Sequence, residues 1–160
     1  QVDTVIAAGT NGIDTVTLSR QLDGSALIDG LSTPIVIEHF ESGDIVQIDG
    51  LGGNDTIGLN EANGALLAAR LNGGAGNDTL FAGDGFDFIS IIGTRTGHDV
   101  LLDFDTGADR LCVPGIHTMD QISRATTQVG DDVLIRYDGG HSSLLLKHTK
   151  LSDLWLDDFC

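Results

Sequence analysis

The sequence predicts an all-β fold, a β-solenoid of short stacked strands closed at its C-terminal end by a hairpin and a helix. Two observations predict it. An aspartate followed two residues later by an apolar residue recurs along most of the 160-residue chain. The chain also contains 22 glycines, which are typical of tight turns. A repeat of roughly ten residues is too short for paired helices and fits one strand with one turn.

The repeat is an Asp-x-apolar triplet. It occupies residues 3–5, 14–16, 44–46, 55–57, 78–80, 87–89, 99–101 and 109–111. Successive aspartates are 11, 30, 11, 23, 9, 12 and 10 residues apart, so most steps are close to ten and the longest contain two or three steps. Each apolar residue is expected to point into a narrow core. We therefore predict irregular rungs over residues 1–72 and regular rungs over residues 73–113.

Two stretches of the irregular region need separate interpretation. Residues 33–40, TPIVIEHF, alternate in the manner of a strand. Residues 59–71, LNEANGALLAARL, break the rhythm. Strand signals on both sides of this second stretch predict a longer, irregular rung rather than a helix.

Residues 114–160 have a different pattern, which predicts a cap. Thr118 and Gln121 form a Thr-x-x-Gln pattern that favours the start of a short helix. Residues 131–137 and 143–148 are expected to be strands, joined by the turn DGGH.

The last ten residues are expected to complete this cap. Ser152 is suited to begin a helix whose apolar face holds Leu151, Leu154 and Trp155. The open end of a solenoid has unpaired backbone groups and an exposed core. We expect the cap to cover that end.

The strongly negative net charge limits the classes of function that the chain can have. The chain has 24 acids and 8 bases, a formal net charge of −16, and all but three of the acids are aspartate. Aspartate is typical of turns and of sites for hard cations. A chain this acidic is not expected to bind nucleic acid or an anionic membrane, and no stretch has the length and hydrophobicity of a membrane span. Without an initiator methionine or signal peptide, it is expected to be a segment of a longer protein.

The spacing predicts two columns of carboxylates. If one turn of the solenoid holds two triplets, Asp55, Asp78 and Asp99 lie on one edge, and Asp87 and Asp109 lie on the other. Neighbouring rungs are about 4.8 Å apart. Two carboxylates at that separation repel by about 3 kcal/mol at an effective dielectric constant of about 20. A divalent cation between the rungs reverses the sign of this interaction.

Calcium suits such a site best. It accepts six to eight oxygens in flexible geometry, from carboxylates and from backbone carbonyls. Magnesium tends to keep its waters, and zinc prefers nitrogen and sulfur. Asp103, Asp105 and Asp109 around Gly107 add a pattern like the start of a calcium loop, without its closing glutamate.

These motifs resemble the RTX, or haemolysin-type, calcium-binding family, whose nonapeptide is G-G-x-G-x-D-x-U-x, with U a large apolar residue. Residues 73–81, GGAGNDTLF, match it in full, and residues 82–90, AGDGFDFIS, lack only the first glycine. Residues 50–57, GLGGNDTI, and 94–101, TRTGHDVL, match in part, and residues 9–17, GTNGIDTVT, match more weakly.

The resemblance implies a right-handed parallel β-roll that holds about two to four calcium ions. It also implies export through a one-step secretion channel, read from an uncleaved C-terminal signal at residues 157–159, and folding in external calcium. The residues predicted to bind calcium are Gly53, Asp55, Gly74, Gly76, Asp78, Gly83, Gly85, Asp87, Gly97, Asp99, Asp103 and Asp109.

We therefore expect a secreted, non-catalytic calcium-binding module that supports the export and stability of a larger protein. The sequence holds no His-Glu-x-x-His, Gly-x-Ser-x-Gly or P-loop motif. The alternative is a polysaccharide-binding or accessory module of a secreted epimerase, protease or adhesin. Spacing does not place the aromatic residues on one face; Phe81, Phe86 and Phe88 lie closest together. Cys112 and Cys160 either pair or both stay free.

Overall fold

The computed structural model describes residues 3–39, 44–60, 69–91 and 95–160. These residues form fourteen strands, one α-helix and three short 3-10 turns. The strands are β1 (Thr4–Ala8), β2 (Thr15–Arg20), β3 (Ala26–Asp29), β4 (Ile35–Ile37), β5 (Ile45–Asp49), β6 (Thr56–Asn60), β7 (Ala69–Asn72), β8 (Thr79–Phe81), β9 (Phe88–Ser90), β10 (His98–Leu101), β11 (Arg110–Cys112), β12 (Thr126–Val129), β13 (Asp132–Tyr137) and β14 (Ser142–Leu146). The helix is α1 (Met119–Ala125), and the 3-10 turns are Asp138–Gly140, Leu151–Asp153 and Leu156–Asp158. None of the helical segments in the described part of the chain is long and apolar enough to cross a membrane.

Two sheets stack their strands as a parallel β-roll. The first sheet has the order β1-β5-β7-β9-β11, and all of its pairs are parallel. The centre of the second sheet, β2-β6-β8-β10-β14, is also parallel. The chain passes from one sheet to the other, so each rung consists of one strand from each. The described strands form five rungs: β1/β2, β5/β6, β7/β8, β9/β10 and β11/β14. The predicted all-β, β-roll architecture is confirmed.

The core is a ladder of apolar side chains between the two sheets. In the second sheet Ile57, Leu80 and Leu101 are aligned in register and fully buried. In the first sheet Ile89 and Leu111 are aligned and fully buried in the same way. All five are the apolar residue of an Asp-x-apolar triplet, so the inward direction predicted for them is confirmed. Burial of one such side chain contributes about 1.5–3 kcal/mol.

An insertion in the first rung extends the second sheet. β3 and β4 continue this sheet beyond β2 through antiparallel pairs. The strand expected within residues 33–40 is present as β4, Ile35–Ile37, while Phe40 lies outside the described residues. For the irregular rung expected over residues 59–71, β6 and β7 provide the two ends, and residues 61–68 lie outside the described part of the chain.

The C-terminal segment closes the other end of the roll. β14 pairs in parallel with β10, and β13 pairs with β14 as the expected antiparallel hairpin. The predicted helix is present as α1, where the hydroxyl of Thr118 accepts a hydrogen bond from the N–H of Gln121. β12 is an additional strand that pairs with β13. Three of its four side chains are exposed, so it lacks the apolar alternation by which a strand is recognised.

The expected final helix is wrong. The chain there forms two separate 3-10 turns, Leu151–Asp153 and Leu156–Asp158, and Trp155 between them has extended backbone angles. The backbone of Phe159 then pairs with that of Leu111 at the edge of the first sheet. A continuous helix would prevent this extended pairing.

The extended path of this segment determines which of its side chains are buried and which are exposed. Leu154 and Phe159 are buried against the core. Trp155, by contrast, is 64% exposed and Leu151 is 38% exposed, so their expected packing on one helical face is wrong. Asp158 is buried, and its two oxygens accept hydrogen bonds from the N–H groups of Gly107 and Trp155.

A disulfide fixes the end of the chain to the last strand of the first sheet. Cys112 and Cys160 are bonded, with their Cα atoms 4.9 Å apart and a sequence separation of 48. The N–H of Cys160 also donates to the carbonyl oxygen of Leu111 at 3.2 Å. In the chain-entropy model, closing a loop of this size stabilises the fold by about 4 kcal/mol. The structure thus selects the paired state of the two cysteines.

Substitution of Gly76 tests how tightly the turns stack. Gly76 has a φ of +139°, and a Cβ there would overlap the carbonyl oxygen of Gly53 in the preceding rung. Gly107 has a φ of +91°, but a Cβ there would meet no atom within 4 Å. We expect Gly76→Ala to lower the free energy of unfolding by more than about 3 kcal/mol, and Gly107→Ala by about 1 kcal/mol. Urea denaturation in calcium measures both values, and equal losses would contradict this stacking.

Candidate metal centre

Four aspartates form a column where the chain enters the second sheet. Asp14, Asp55, Asp78 and Asp99 each stand at the start of a strand of that sheet. The N–H of each donates to Oδ1 of the next, at 2.9, 2.8 and 3.0 Å along the column. The last three are buried. The structure thus brings together the three aspartates predicted for this edge and adds Asp14, which the predicted site did not include.

A second column lies on the opposite edge. The N–H of Asp87 donates to Oδ1 of Asp109 at 3.1 Å, and the N–H of Ala69 donates to Oδ1 of Asp87 at 3.0 Å. Oδ2 of Asp109 accepts from the N–H of Asp105 at 3.0 Å. Both column carboxylates are buried. The pairing of rungs predicted for Asp87 and Asp109 is therefore present.

Asp103 fastens one turn of this edge to the next. Its Oδ1 accepts from the N–H of Ala82 at 2.7 Å, and its Oδ2 accepts from the N–H of Gly83 at 3.0 Å. Both oxygens of Asp103 thus have backbone donors. The local sequence does not predict that Asp103 links two turns, because the partner amides lie about 20 residues away.

The structure divides the predicted site residues into two separate groups. The group on the first edge is Gly53, Asp55, Gly74, Gly76, Asp78, Gly97 and Asp99. The group on the second edge is Gly83, Gly85, Asp87, Asp103 and Asp109. The six glycines all have positive φ angles and shape the turns between the strands.

The first column contains buried acceptor oxygens that lack donors. Oδ2 of Asp55 and Oδ2 of Asp78 accept no hydrogen bond from any residue that the structure describes. A Cβ added to Gly50 would meet both Asp55 Oδ2 and the carbonyl oxygen of Gly73. Two acceptors from neighbouring rungs therefore line the space beside Gly50. A buried polar group without a partner costs about 1–3 kcal/mol, and more when it is charged, and a cation in this space would remove that cost.

In the first rung, a neighbouring residue supplies hydrogen-bond donors to the equivalent carboxylate oxygen. A Cβ on Gly9 would lie 2.8 Å from Oδ2 of Asp14 and 3.0 Å from a carbonyl oxygen of the next rung. Here Oδ2 of Asp14 accepts from the N–H of Thr10 at 2.6 Å and from its hydroxyl at 2.9 Å. The residues at the same position of the next two turns are Leu51 and Gly74, which have no hydroxyl. Rungs two and three therefore lack the internal donor that rung one has.

Burial raises the pKa of the column carboxyls. The pKa values of Asp55 and Asp78 lie above 3.8, chiefly because burial disfavours the charged form, and the preceding carboxylate in the column adds repulsion. The same causes raise the pKa of Asp99 to about 7. Burial also raises the pKa of Asp109, with two neighbouring carboxylates contributing. Burial thus shifts each of these carboxyls towards a bound proton or a bound cation and away from a bare charge.

The available ligands fit calcium. Within the described ranges, no three His, Cys, Asp or Glu side chains converge on one point. A cation between rungs would therefore combine one carboxylate oxygen from a rung with backbone carbonyl oxygens. Calcium accepts such a mixed set of oxygens, whereas zinc would find neither nitrogen nor sulfur.

Beside the aspartate column, asparagine side chains accept hydrogen bonds from backbone N–H groups of the following turn. The N–H of Asn77 donates to Oδ1 of Asn54 at 2.9 Å, and the N–H of His98 donates to Oδ1 of Asn77 at 2.8 Å. These bonds run in the opposite direction to those of the aspartate column. Asparagine before the aspartate thus joins each turn to the next, a role that a variable position in the nonapeptide did not suggest.

Tyr137 of the cap closes the aspartate column. Its hydroxyl lies 2.6 Å from Oγ1 of Thr96 and donates to Oδ2 of Asp99 at 3.4 Å. Tyr137 is buried. The cap therefore contacts the last carboxylate of the column directly, through a contact between residues 38 positions apart that no local motif predicts.

Comparison with one solved structure supports this fold. No protein-family model and no curated protein matches the chain. The crystal structure of the extracellular lipase LipA from Serratia marcescens is similar, with a TM-score of 0.55 and 19% identity over 98% of this chain and 34% of the lipase chain. The solution structure of the AlgE6R3 subunit from the Azotobacter vinelandii mannuronan C5-epimerase has a TM-score of 0.45 and 21% identity, over 99% and 78% of the respective chains. The chain thus spans about a third of the lipase, and that likeness supports an RTX-like β-roll at the level of fold.

The raised pKa values predict an unusual dependence on pH. When the pKa of an aspartate is higher in the folded state, its stabilising effect is complete below the unfolded value and is lost as pH rises through the folded value. In EDTA we therefore expect stability to fall between about pH 4 and pH 7, the range set by the ordinary value of 3.8 and by Asp99. Circular dichroism and thermal unfolding in EDTA at pH 5 and pH 8 measure this change, and most of the strand signal is expected to be lost already at pH 8. A higher melting temperature at pH 8 in EDTA would contradict it.

Proposed function

We propose that the chain is a non-catalytic calcium-binding module that folds on meeting extracellular calcium and supports the export and stability of a larger secreted protein. The observation that carries this proposal is the pair of buried Oδ2 atoms on Asp55 and Asp78, which have no donor among the described residues. Asp14 provides a contrast that supports the proposal. In its rung, where the repeat is weakest, Thr10 donates hydrogen bonds to the carboxylate oxygen. About two to four calcium ions would fit between the stacked turns.

Export is proposed to depend on the C-terminus. Asp158 and Phe159, within the proposed signal, are both buried in the folded chain. A signal at these residues would be accessible to secretion machinery only before the cap has folded. This order agrees with folding that waits for external calcium.

Two histidines of the described ranges have contacts that suit structural roles. Nδ1 of His98 lies 3.0 Å from Oγ of Ser143, and the exposed His98 and the half-buried Ser143 are neighbours on paired strands. Among the residues that the structure describes, no carboxylate hydrogen-bonds to His98 to complete a Ser-His-acid arrangement. Nδ1 of His117 lies 3.0 Å from the carbonyl oxygen of Cys160, where it links the helix region to the chain end.

Calorimetric titration of two charge-matched variants tests the proposed sites. In Asp78→Asn the Oδ1 acceptor for the Asp55 amide is retained, but the charge beside the candidate site is removed. We expect calcium affinity to fall at least tenfold, or the number of bound ions to fall. Asp23→Asn is the control, because Asp23 is exposed and its carboxylate accepts only local bonds from Ser25.

The same pair of variants separates a calcium ligand from a structural residue. In EDTA, Asp78→Asn is expected to be at least as stable as the parent chain, because burial already raises the pKa of this carboxyl and favours its neutral form. In calcium it is expected to be less stable. An equal loss of calcium binding in Asp23→Asn would show that only overall charge matters and would overturn the assignment.

A further inference from the structure

The outer face of the first sheet carries a row of side chains that the calcium columns do not use. In β5, β7, β9 and β11, every second residue points away from the core. Strand register aligns Gln47, Arg70, Phe88 and Arg110 along this face, one from each rung. Neighbouring rungs are about 4.8 Å apart, so the two arginines stand about 10 Å apart with an aromatic ring between them.

Aromatic rings hold both guanidinium groups in place. Cζ of Arg70 lies 5.7 Å from the centre of the Phe88 ring, and Cζ of Arg110 lies 5.5 Å from the centre of the Phe86 ring. The two rings meet edge to face, with centres 5.1 Å apart. Phe86 is 45% exposed, so this cluster borders solvent. Phe86 and Phe88 are two of the three aromatic residues that lie closest together in the sequence, and in the fold their rings are in contact.

The two arginines form no ion pair among the residues that the structure describes. Arg110 donates one long hydrogen bond, of 3.5 Å, to the carbonyl oxygen of Asp109. This is notable in a chain with 24 acids and 8 bases. Guanidinium groups stacked on rings keep the N–H edges that recognise carboxylates, and their order reduces the entropy lost on binding.

A groove of about 310 Å³ runs beside this row and includes Arg70, Asn72, Phe88 and the disulfide in its lining. Asp49 also lines it, but its carboxylate is engaged by two amides. The Nε2 group of Gln47 donates to it at 2.9 Å and the Nδ2 group of Asn72 at 3.2 Å. Arg70 thus offers unpaired charge within the groove, and Arg110 continues the row one rung beyond Phe88.

We infer that this groove, together with Arg110 beside it, binds an anionic polysaccharide, specifically an extended chain of uronate sugars lying across the rungs. In a flat β-1,4-linked ribbon, carboxylates on alternate sugars face the same side, and the intervening ring presents its C–H face. Arg70 and Arg110 match two such carboxylates, and Phe88 matches the ring between them. Repulsion from more distant acids is screened beyond about 8 Å at physiological ionic strength.

This inference names a ligand class for a face distinct from the proposed calcium sites, since none of its four principal side chains belongs to the columns. Nucleic acid would require a broader basic surface than two arginines provide. The test is therefore made on the full chain in saturating calcium, with folding checked by circular dichroism. A failure of polysaccharide binding by a folded, calcium-loaded chain then leaves the calcium proposal intact.

Calorimetry with a cellouronate hexamer and with cellohexaose measures the contribution of the carboxylates, because the two sugars differ only at that group. We expect the uronate to bind at least tenfold more tightly. The double variant Arg70→Gln/Arg110→Gln should lose at least tenfold in uronate affinity. Arg124→Gln is the control for loss of an arginine elsewhere, because Arg124 lies on α1 and pairs with Asp120; the affinity of this variant should not change.

NMR of the unaltered chain gives an independent readout. The side-chain Nε–H signals of Arg70 and Arg110 should shift on addition of the uronate, and those of Arg124 should not. Equal binding of the neutral sugar, full affinity in the double variant, or shifts confined to other arginines would overturn the inference. Equally tight binding of single-stranded RNA would also overturn it, by showing a general anion surface.

Discussion

In EDTA at pH 8 the chain is expected to lose most of its β-sheet circular dichroism, and about 10 mM calcium is expected to restore it, since extracellular calcium modules bind at about 10⁻⁴–10⁻³ M. Asp55, Asp78 and Asp99 are stacked and buried, and bare carboxylates at that spacing repel by about 3 kcal/mol per pair. Calcium bound only to the folded state contributes about 2.7 kcal/mol per site at a hundredfold excess over Kd. A few such sites match the whole stability of a typical domain, about 5–15 kcal/mol.

Two salts separate specific binding from charge screening. Sodium chloride at the same ionic strength screens repulsion between carboxylates but does not bridge the rungs. Magnesium carries the same charge but tends to keep its waters. We expect neither to restore the strand signal fully. Identical spectra and melting temperatures in EDTA and in calcium would contradict the proposed calcium dependence.

A chain ending at Val113 is expected to remain unfolded even in calcium. Its last rung would lose β14 from the second sheet, the Phe159 pairing from the first, and the disulfide. The cap residues that are buried against the core include Ile135, Leu144 and Leu146. Burial of each large side chain contributes about 1.5–3 kcal/mol, so several losses exceed the usual margin of stability. Circular dichroism and calcium calorimetry on the shortened chain measure the outcome.

Two leucine variants of the full chain distinguish a packing role of the cap from a role in export alone. Leu144→Ala removes a fully buried side chain in β14 and should cost about 2–5 kcal/mol. Leu151→Ala makes the same chemical change where the side chain is 38% exposed, and should cost much less. If the shortened chain binds calcium tightly with full strand signal, the roll is self-sufficient and the proposed cap function fails.

The local repeat was enough to predict the phase of the roll. Asp55 and Ile57 are two residues apart. Asp55 therefore lies at the turn before the strand, and Ile57 points into the core. Because the same relation holds at Asp78 and Leu80, stacking of equivalent rungs places the aspartates in one column. Neither step requires knowledge of distant contacts.

Contacts between distant segments could not be predicted in this way. Pairing of Cys112 with Cys160 depends on the extended chain end reaching the first sheet, which also replaced the expected helix and exposed Trp155. Asp14 belongs to the column although its turn departs from the glycine pattern, because Thr10 satisfies its carboxylate. The donor geometry that distinguishes this rung is visible only in three dimensions.

The most direct measurement is the anomalous scattering of a crystal of the full chain grown in calcium. Our account predicts an ion beside Gly50, coordinated by Oδ2 of Asp55 and by the carbonyl oxygen of Gly73, with further ions following the stacked turns. The corresponding space beside Gly9, where Thr10 already donates to Asp14, is expected to bind calcium more weakly. A folded roll in saturating calcium with no anomalous peak beside Gly50, and with new protein donors on Asp55 Oδ2 instead, would contradict the account.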